Sequence, residues 1–215
     1  MTLLITIGPT QEPIDAMRIL SNRSTGDLGT FLALTLARAG YRVIALRGTG
    51  STTDKEELLA ECLKVIPFTT TADLDAELEK ISLEAMETGD IGAVFHAAAV
   101  SDFFLPEAGS GKIPTRNGAV TLTLEPTPKL LPKMRGWFPS ARITGWKFEA
   151  SEKESGREDA ISAAKNQIAS CLSDACVLNG PAYGEGFGVL TKKGELTHFD
   201  DRKALCTHLT EQLGG

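Results

Sequence analysis

A chain of 215 residues that is 42% hydrophobic, with a mean hydropathy of −0.04, can bury one substantial core and has neither a disordered nor a fibrous composition. Its 22 basic and 28 acidic residues give a formal charge of −6 without long runs of one sign, which argues against a nucleic-acid stripe or a polybasic membrane anchor and means that any anionic ligand must be met locally. Cys62, Cys171, Cys176 and Cys206 form no CxxC pair and have no histidine at metal-ligand spacing, so reduced thiols, no zinc site and a cytoplasmic protein are expected.

The amino terminus, "MTLLITIGPT", has no basic region ahead of its apolar residues, and the longest apolar stretch, "IGAVFHAAAV", is about half a membrane span. An unprocessed chain without a membrane segment is expected. "LLITIG" (3–8) reads as a buried strand closed by Gly8 and Pro9. "TGDLGTFLALTLARAG" places Leu28, Phe31, Leu32, Leu34, Leu36 and Ala39 at helical spacing and stops at Gly40. "YRVIALRG" (41–48) is a second strand, "TTADLDAELEKISLEAM" a helix opened by Thr70 with Asp73 three residues on, and "IGAVFHAAA" (91–99) a third strand. "LPEAGSGKIPTRNG" and "AVTLTLEP", where Val120, Leu122 and Leu124 alternate with threonine, read as a flap or arm with a half-exposed strand at 119–125. "ARITGWKFEA" is a strand, "GREDAISAAKNQIASCLS" a helix, "DACVLN" a strand, "GVLTKKGELTHF" a hairpin turned at Lys193-Gly194, and "DDRKALCTHLTEQL" a closing helix. The alternation predicts a single α/β, Rossmann-like domain over 1–215, with a mainly parallel sheet, helices on both faces, an arm and a C-terminal hairpin.

A dinucleotide fold would place GxGxxG directly after the first strand, but here "PTQEPIDAMRILSNRS" separates Gly8 from the helix start. The second strand ends in Arg47-Gly48 where an acid would bind a ribose, and no YxxxK is present, so an NADP-dependent reductase is the weaker reading. Ser24, Thr25 and Gly26 begin a helix whose free amides suit an anion, or they form an ordinary N-cap through Ser24 or Thr25. The neighbouring Asn22 can donate to one oxygen and accept from one amine, which suits a carboxylate that is activated and then attacked.

"ITIGPTQEPID", "SNRSTGDLG", "AAAVSDF" and the "KI" ten residues beyond Asp102 together resemble the phosphopantothenoylcysteine synthetases. The likeness is strongest over 3–31 and 94–113 and continues through "PTPKLL", "TGWKFEA" and "DACVLN" to the hairpin. It implies a ligase of coenzyme A biosynthesis. The carboxylate of 4'-phosphopantothenate would attack the α-phosphate of CTP or ATP, with Mg²⁺ and loss of pyrophosphate, and the amine of L-cysteine would then attack the acyl nucleotidylate. By resemblance, Gly8, Pro9, Thr10, Ser21, Asn22, Ser24, Thr25 and Gly26 surround phosphopantothenate, and Asn22 holds the acyl intermediate. The nucleotide would meet His96, Ala97, Ala98, Asp102 and Lys112, with Pro128, Lys129, Leu130, Leu131 and Trp146 around its base. Lys112 would meet the charge that develops on the triphosphate. Taken singly, His96 and Trp146 also read as core residues, and Asp102 and Lys112 as solvated loop residues.

Several positions depart from the family pattern. The arm keeps one lysine, followed by Ile113-Pro114-Thr115, and Gln167 and Cys171 stand where bacterial members place lysines on the helix before "DACVLN", with Lys165 or Lys147 as candidates to compensate. "PKLL" and "WKFE" are closer to the ATP-using eukaryotic branch. A catalytically weakened nucleotide-binding protein is therefore the competing reading. The resemblance further implies a homodimer, with the 119–125 strand as the edge a partner covers, and a stand-alone synthetase served by a separate decarboxylase.

Overall fold

The apolar runs of the sequence become the inner strands of one sheet. The computed structural model describes residues 1–88, 91–109, 111–150 and 156–214. In chain order its elements are β1 (Thr2–Ile7), β2 (Gln11–Pro13), β3 (Ile19–Ser21), α1 (Asp27–Arg38), β4 (Arg42–Gly48), α2 (Glu56–Glu61), β5 (Lys64–Phe68), α3 (Thr71–Thr88) and β6 (Ile91–His96). There follow β7 (Phe103–Phe104), β8 (Glu125–Pro126), α4 (Leu131–Trp137), β9 (Arg142–Phe148), α5 (Gly156–Cys171), β10 (Ala175–Asn179), β11 (Phe187–Thr191), β12 (Leu196–Phe199) and α6 (Arg202–Glu211).

The eight-stranded sheet has the order β12-β11-β10-β9-β6-β1-β4-β5. From β10 to β5 the strands are parallel, and the β11–β12 hairpin is antiparallel at one edge, turning at Lys193-Gly194 as expected. Alternate residues of β1 feed two layers. Leu3, Ile5 and Ile7 pack with Leu32 and Leu36 of α1 and Leu205 and Leu209 of α6, whereas Leu4 packs with Leu74 and Leu78 of α3 and Met134 of α4. Ala160, Ala164 and Ile168 of α5 extend the second layer over Cys176 and Leu178 of β10. Each such fully buried leucine contributes about 1.5–3 kcal/mol. α3 opens on the expected cap: Thr70 Oγ1 accepts the Asp73 N–H at 3.1 Å and Asp73 Oδ2 accepts the Thr70 N–H at 2.8 Å.

Four features escaped the sequence reading. The first loop folds into the small β2–β3 hairpin, too short for any alternation to show. β5 contains Pro67, which argues against a strand in general and is tolerated here because β5 is the sheet edge. α2 and α4 are short, and α4 has a proline in its first turn. The expected strand over 119–125 is corrected: Glu125–Pro126 pairs with Phe103–Phe104, and Val120, Leu122 and Leu124 stand exposed without a ladder partner among the described residues. Ser110 of the arm lies outside the described residues. Among the described residues no helix is long and apolar enough to cross a membrane.

Candidate functional site

The sheet order reverses at β1, which pairs with β4 on one side and with β6 on the other, and the carboxyl ends of β1 and β6 are therefore the switch point at which open α/β sheets bind ligands. The two chains leaving those strands stay paired. Ala99 N–H donates to Gly8 O at 2.9 Å, Thr10 N–H donates to Ala99 O at 3.2 Å, and Pro9 bridges Ala99. Thr10 is fully buried, and its hydroxyl accepts the Ser101 N–H at 2.9 Å. This seam holds Gly8, Pro9 and Thr10, all three buried, at that switch point, where Ala97 and Ala98 are half-buried.

The chain then turns out through β2–β3 and returns at Ser21, whose hydroxyl donates to Thr10 O at 2.7 Å. Asn22 follows, exposed, with Nδ2 donating to Val100 O at 2.9 Å. A residue that precedes α1 is thereby pinned to the chain leaving β6, and its side-chain oxygen has no donor among the described residues. The N-cap of α1 is Gly26, with φ of 78° and no side-chain cap. Thr25 Oγ1 accepts the Asp27 N–H at 3.2 Å and Ser24 Oγ accepts the Gly26 N–H at 3.4 Å, so both hydroxyls serve the turn and neither caps the helix itself. The Leu28 and Gly29 amides have no acceptor among the described residues, which leaves an anion seat. Gly8 also has positive φ, 81°, and a Cβ there would stand 1.8 Å from Ser51 Oγ, so only glycine lets the loop after β4 close beneath the site. Arg47 secures that loop by donating to Ser51 O at 2.9 Å and Thr53 O at 2.6 Å.

Asp15 joins the first loop to the arm. Its carboxylate accepts from Met17 N and Arg18 N, each at 2.8 Å, from Ile113 N at 3.0 Å and from the Arg18 guanidinium. The Ile113 amide, followed by the Met17 amide and Arg18, holds the Asp15 carboxyl below its ordinary range. Ile113 is thereby anchored to the first loop, and its neighbour Lys112 is exposed. The arm's other root is tied by Thr127, which donates from N–H to Asp102 O at 3.0 Å and from its hydroxyl to Ser101 O.

At the end of β6, His96 is buried and its Nδ1 lies 2.9 Å from Thr6 Oγ1, which accepts the Ala98 N–H at 3.1 Å. Thr6 Oγ1 thus links the ring to the Ala98 amide. Burial lowers the His96 pKa to about 4, so the ring is neutral near pH 7 and offers no cation to a triphosphate. Asp102 and Lys129, both exposed, form an ion pair with each other. Pro128 is exposed and Leu131 half-buried, but Leu130 is in the core and has only its backbone to offer a ligand. Trp146 packs edge-on against Phe95 with its indole Nε1 buried and unpartnered. Lys147 pairs with Glu149 at 3.1 Å towards the carboxyl end of β9, whereas Lys165 lines a groove near the amino ends of β9 and β10. Gln167 is spent inside, donating to Trp146 O at 3.4 Å and Cys176 Sγ at 3.3 Å.

Comparison with known proteins agrees with this geometry. Residues 1–211 match the family described as the DNA/pantothenate metabolism flavoprotein C-terminal domain. The chain belongs to that family. It is 32% identical over 181 residues to the coenzyme A biosynthesis bifunctional protein CoaBC of Thermococcus kodakarensis, covering 82% of this chain and 40% of that protein. It is 28% identical over 196 residues to the phosphopantothenate–cysteine ligase of Mus musculus, covering 68% of this chain and 63% of that protein. The chain thus spans about two fifths of the first relative and under two thirds of the second. The crystal structure of the DNA/pantothenate metabolism flavoprotein from Streptococcus pneumoniae superposes with a TM-score of 0.81 at 21% identity, covering 100% of this chain and 98% of that one, and so shares the fold.

Within this flavoprotein C-terminal domain, sequence reasoning missed the residues that hold the loops together. Glu12 is buried and accepts from both Thr71 N and Thr71 Oγ1, at 2.8 and 2.7 Å, fastening the first loop to α3. Asp15 and Thr127 hold the arm in the same way. Their only trace in the sequence is a polar residue in an ordinary loop. The four cysteines are free thiols, and burial pushes Cys176 and Cys206 up to about 12, so they stay protonated.

Proposed function

We propose that this chain is a phosphopantothenate–cysteine ligase of coenzyme A biosynthesis. The observation that carries the reading is that Asn22 is tied to Val100, just beyond β6, and the arm, at Ile113 next to Lys112, to Asp15 in the loop after β1, with the start of α1 left without a side-chain cap. The family match over residues 1–211 and the names of the relatives supply the substrates, 4'-phosphopantothenate and L-cysteine.

The phosphopantothenate phosphate is held by the α1 start, with Ser24, Thr25 and Gly26, and its carboxylate lies near Asn22. A carboxylate oxygen attacks the nucleotide α-phosphorus, the bond to pyrophosphate breaks, and Lys112 meets the negative charge gathering on the leaving group. In the second half-reaction the cysteine amine attacks the acyl carbon. The nucleoside monophosphate leaves and the amine loses its proton. Asn22, with one N–H held by Val100 O, keeps its other N–H for the acyl oxygen and its carbonyl for the incoming amine. The nucleotide lies along His96, Ala97 and Ala98, near the Asp102–Lys129 pair and Pro128, Leu131 and Lys147; small side chains allow it close approach. Mg²⁺ would arrive with the nucleotide and help to neutralise the triphosphate.

The same reading places the protein in the cytoplasm, as a homodimer, supplying product to a decarboxylase. The exposed alternating segment at 119–124 offers its free backbone and Val120, Leu122 and Leu124 to a second copy. Pyrophosphate release by the purified protein, measured with phosphopantothenate, cysteine and Mg²⁺ and with CTP or ATP in parallel, tests the assignment and names the nucleotide. Release that requires phosphopantothenate is expected. Release with neither nucleotide would overturn the ligase reading in favour of a nucleotide-binding protein.

A further inference from the structure

A cavity lies at the other end of the sheet from the proposed ligase site. It is a groove of about 1110 Å³ between the start of β9, the end of α5, the start of β10 and the β11–β12 turn. Five cations line it, Arg135, Arg142, Lys165, Lys192 and Lys193, against two carboxylates, Asp174 and Glu195. A local excess of positive charge in a chain whose formal charge is −6 marks this edge apart from the rest of the molecule.

The cations divide into a fixed floor and a free rim. Asp174 accepts from Arg135 at 2.7 Å, Lys192 at 2.6 Å and the Ile143 N–H at 2.9 Å, so its charge is already answered within the protein. Arg135 also donates to Leu172 O, Pro139 O and Ala141 O, and Arg142 donates to Gln212 O. Lys165 on α5 and Lys193 at the hairpin turn are exposed and make no ion pair or hydrogen bond among the described residues. Glu195 is the one carboxylate of the lining that lacks a cation there. In the wall, Ser173 is 2% exposed and its hydroxyl has no partner, and the Thr191 hydroxyl is likewise buried and unpartnered. Exposed Leu172 and the edge of Ile168 add a small apolar strip beside the lysines.

We propose that this groove is a second binding site, for a small phosphorylated anion with a short apolar body. Lys165 and Lys193 would close on the phosphate from two elements, Arg135 would keep the floor rigid, and the body would lie on Leu172. This inference does not depend on the ligase reading, because it concerns the opposite edge of the sheet and residues to which that reading gives no role.

The test is an amide NMR titration of the full chain with inorganic pyrophosphate, in parallel with a short single-stranded oligonucleotide to separate a free phosphate compound from a nucleic-acid backbone. Saturable shifts are expected at Leu172, Ser173 and Lys192 to Glu195. In a Lys165→Gln, Lys193→Gln variant the affinity read at those amides should fall at least about tenfold, while any shifts around Gly8 and Gly26 keep their wild-type midpoint. Pyrophosphate shifts confined to residues 8–26, groove shifts that fail to saturate or survive the double substitution, or a groove that answers only the oligonucleotide would each overturn the proposal.

Discussion

Gly8→Ala tests the packing beneath the candidate site most directly. The residue has φ of 81°, and the left-handed region costs a residue with a Cβ about 1–2 kcal/mol. The new methyl would stand 1.8 Å from Ser51 Oγ and 3.2 Å from Ser51 Cβ, so Ser51 must rotate its hydroxyl away and still be crowded. Overpacking of this kind adds about 1–3 kcal/mol, for a total loss of about 2–5 kcal/mol. The Ser51 hydroxyl is buried without a partner, so Ser51→Ala alone should be neutral or stabilise by up to about 1 kcal/mol. In the double variant the 1.8 Å clash is gone and only the 3.2 Å approach to the Cβ of residue 51 is left, so the loss falls towards the backbone cost of about 1–2 kcal/mol. Urea unfolding followed by far-ultraviolet circular dichroism measures all four proteins. Gly8→Ala should move the midpoint down by roughly 1 M or more, and Ser51→Ala should restore part of it. Equal losses in the single and double variants would refute the reasoning, because the Ser51 contact would then contribute nothing.

Lys112→Gln should lower the rate of pyrophosphate release about 100-fold with the unfolding midpoint unchanged, because the residue is exposed and acts only on developing charge; a near wild-type rate would remove it from the mechanism. Asn22→Asp should leave nucleotide activation closer to normal and depress transfer to cysteine, read as pyrophosphate formed in excess of ligated product; matched yields would count against its proposed role. The folded His96 ring protonates near pH 4 and the unfolded one near 6.5. Between those values the unfolded chain binds more protons, so stability falls as pH is lowered through the window, by about 3 kcal/mol in full. His96→Asn, which keeps an acceptor for Thr6, should flatten this dependence in urea unfolding, and an unchanged slope would assign the loss to other groups. Leu122→Asp should shift the light-scattering mass from two copies to one, and a persistent dimer would place the interface elsewhere.

The sequence by itself determined the layers. Continuous apolar runs such as "LLITIG" can only be strands buried on both faces, and the spacing of Leu28, Leu32 and Leu36 can only be a helix with one covered face. The absence of a glycine fingerprint after β1 and the presence of Asn22 and Lys112 in their motifs were equally legible, because they are local facts. Tertiary structure alone decided what those residues face. His96 reads the same in sequence whether it is neutral in the core or cationic in a cleft, and only its burial against Thr6 and the Ala98 amide settles that it is neutral. Lys165 and Lys147 lie on neighbouring elements and looked interchangeable, yet they belong to opposite ends of the sheet. The 119–124 segment has the alternation of a strand but finds no ladder among the described residues. Side-chain pattern can be read along one segment, whereas a hydrogen bond such as that from Ile113 to Asp15 or from Asn22 to Val100 joins residues far apart in sequence and exists only once the sheet has brought their loops to one edge.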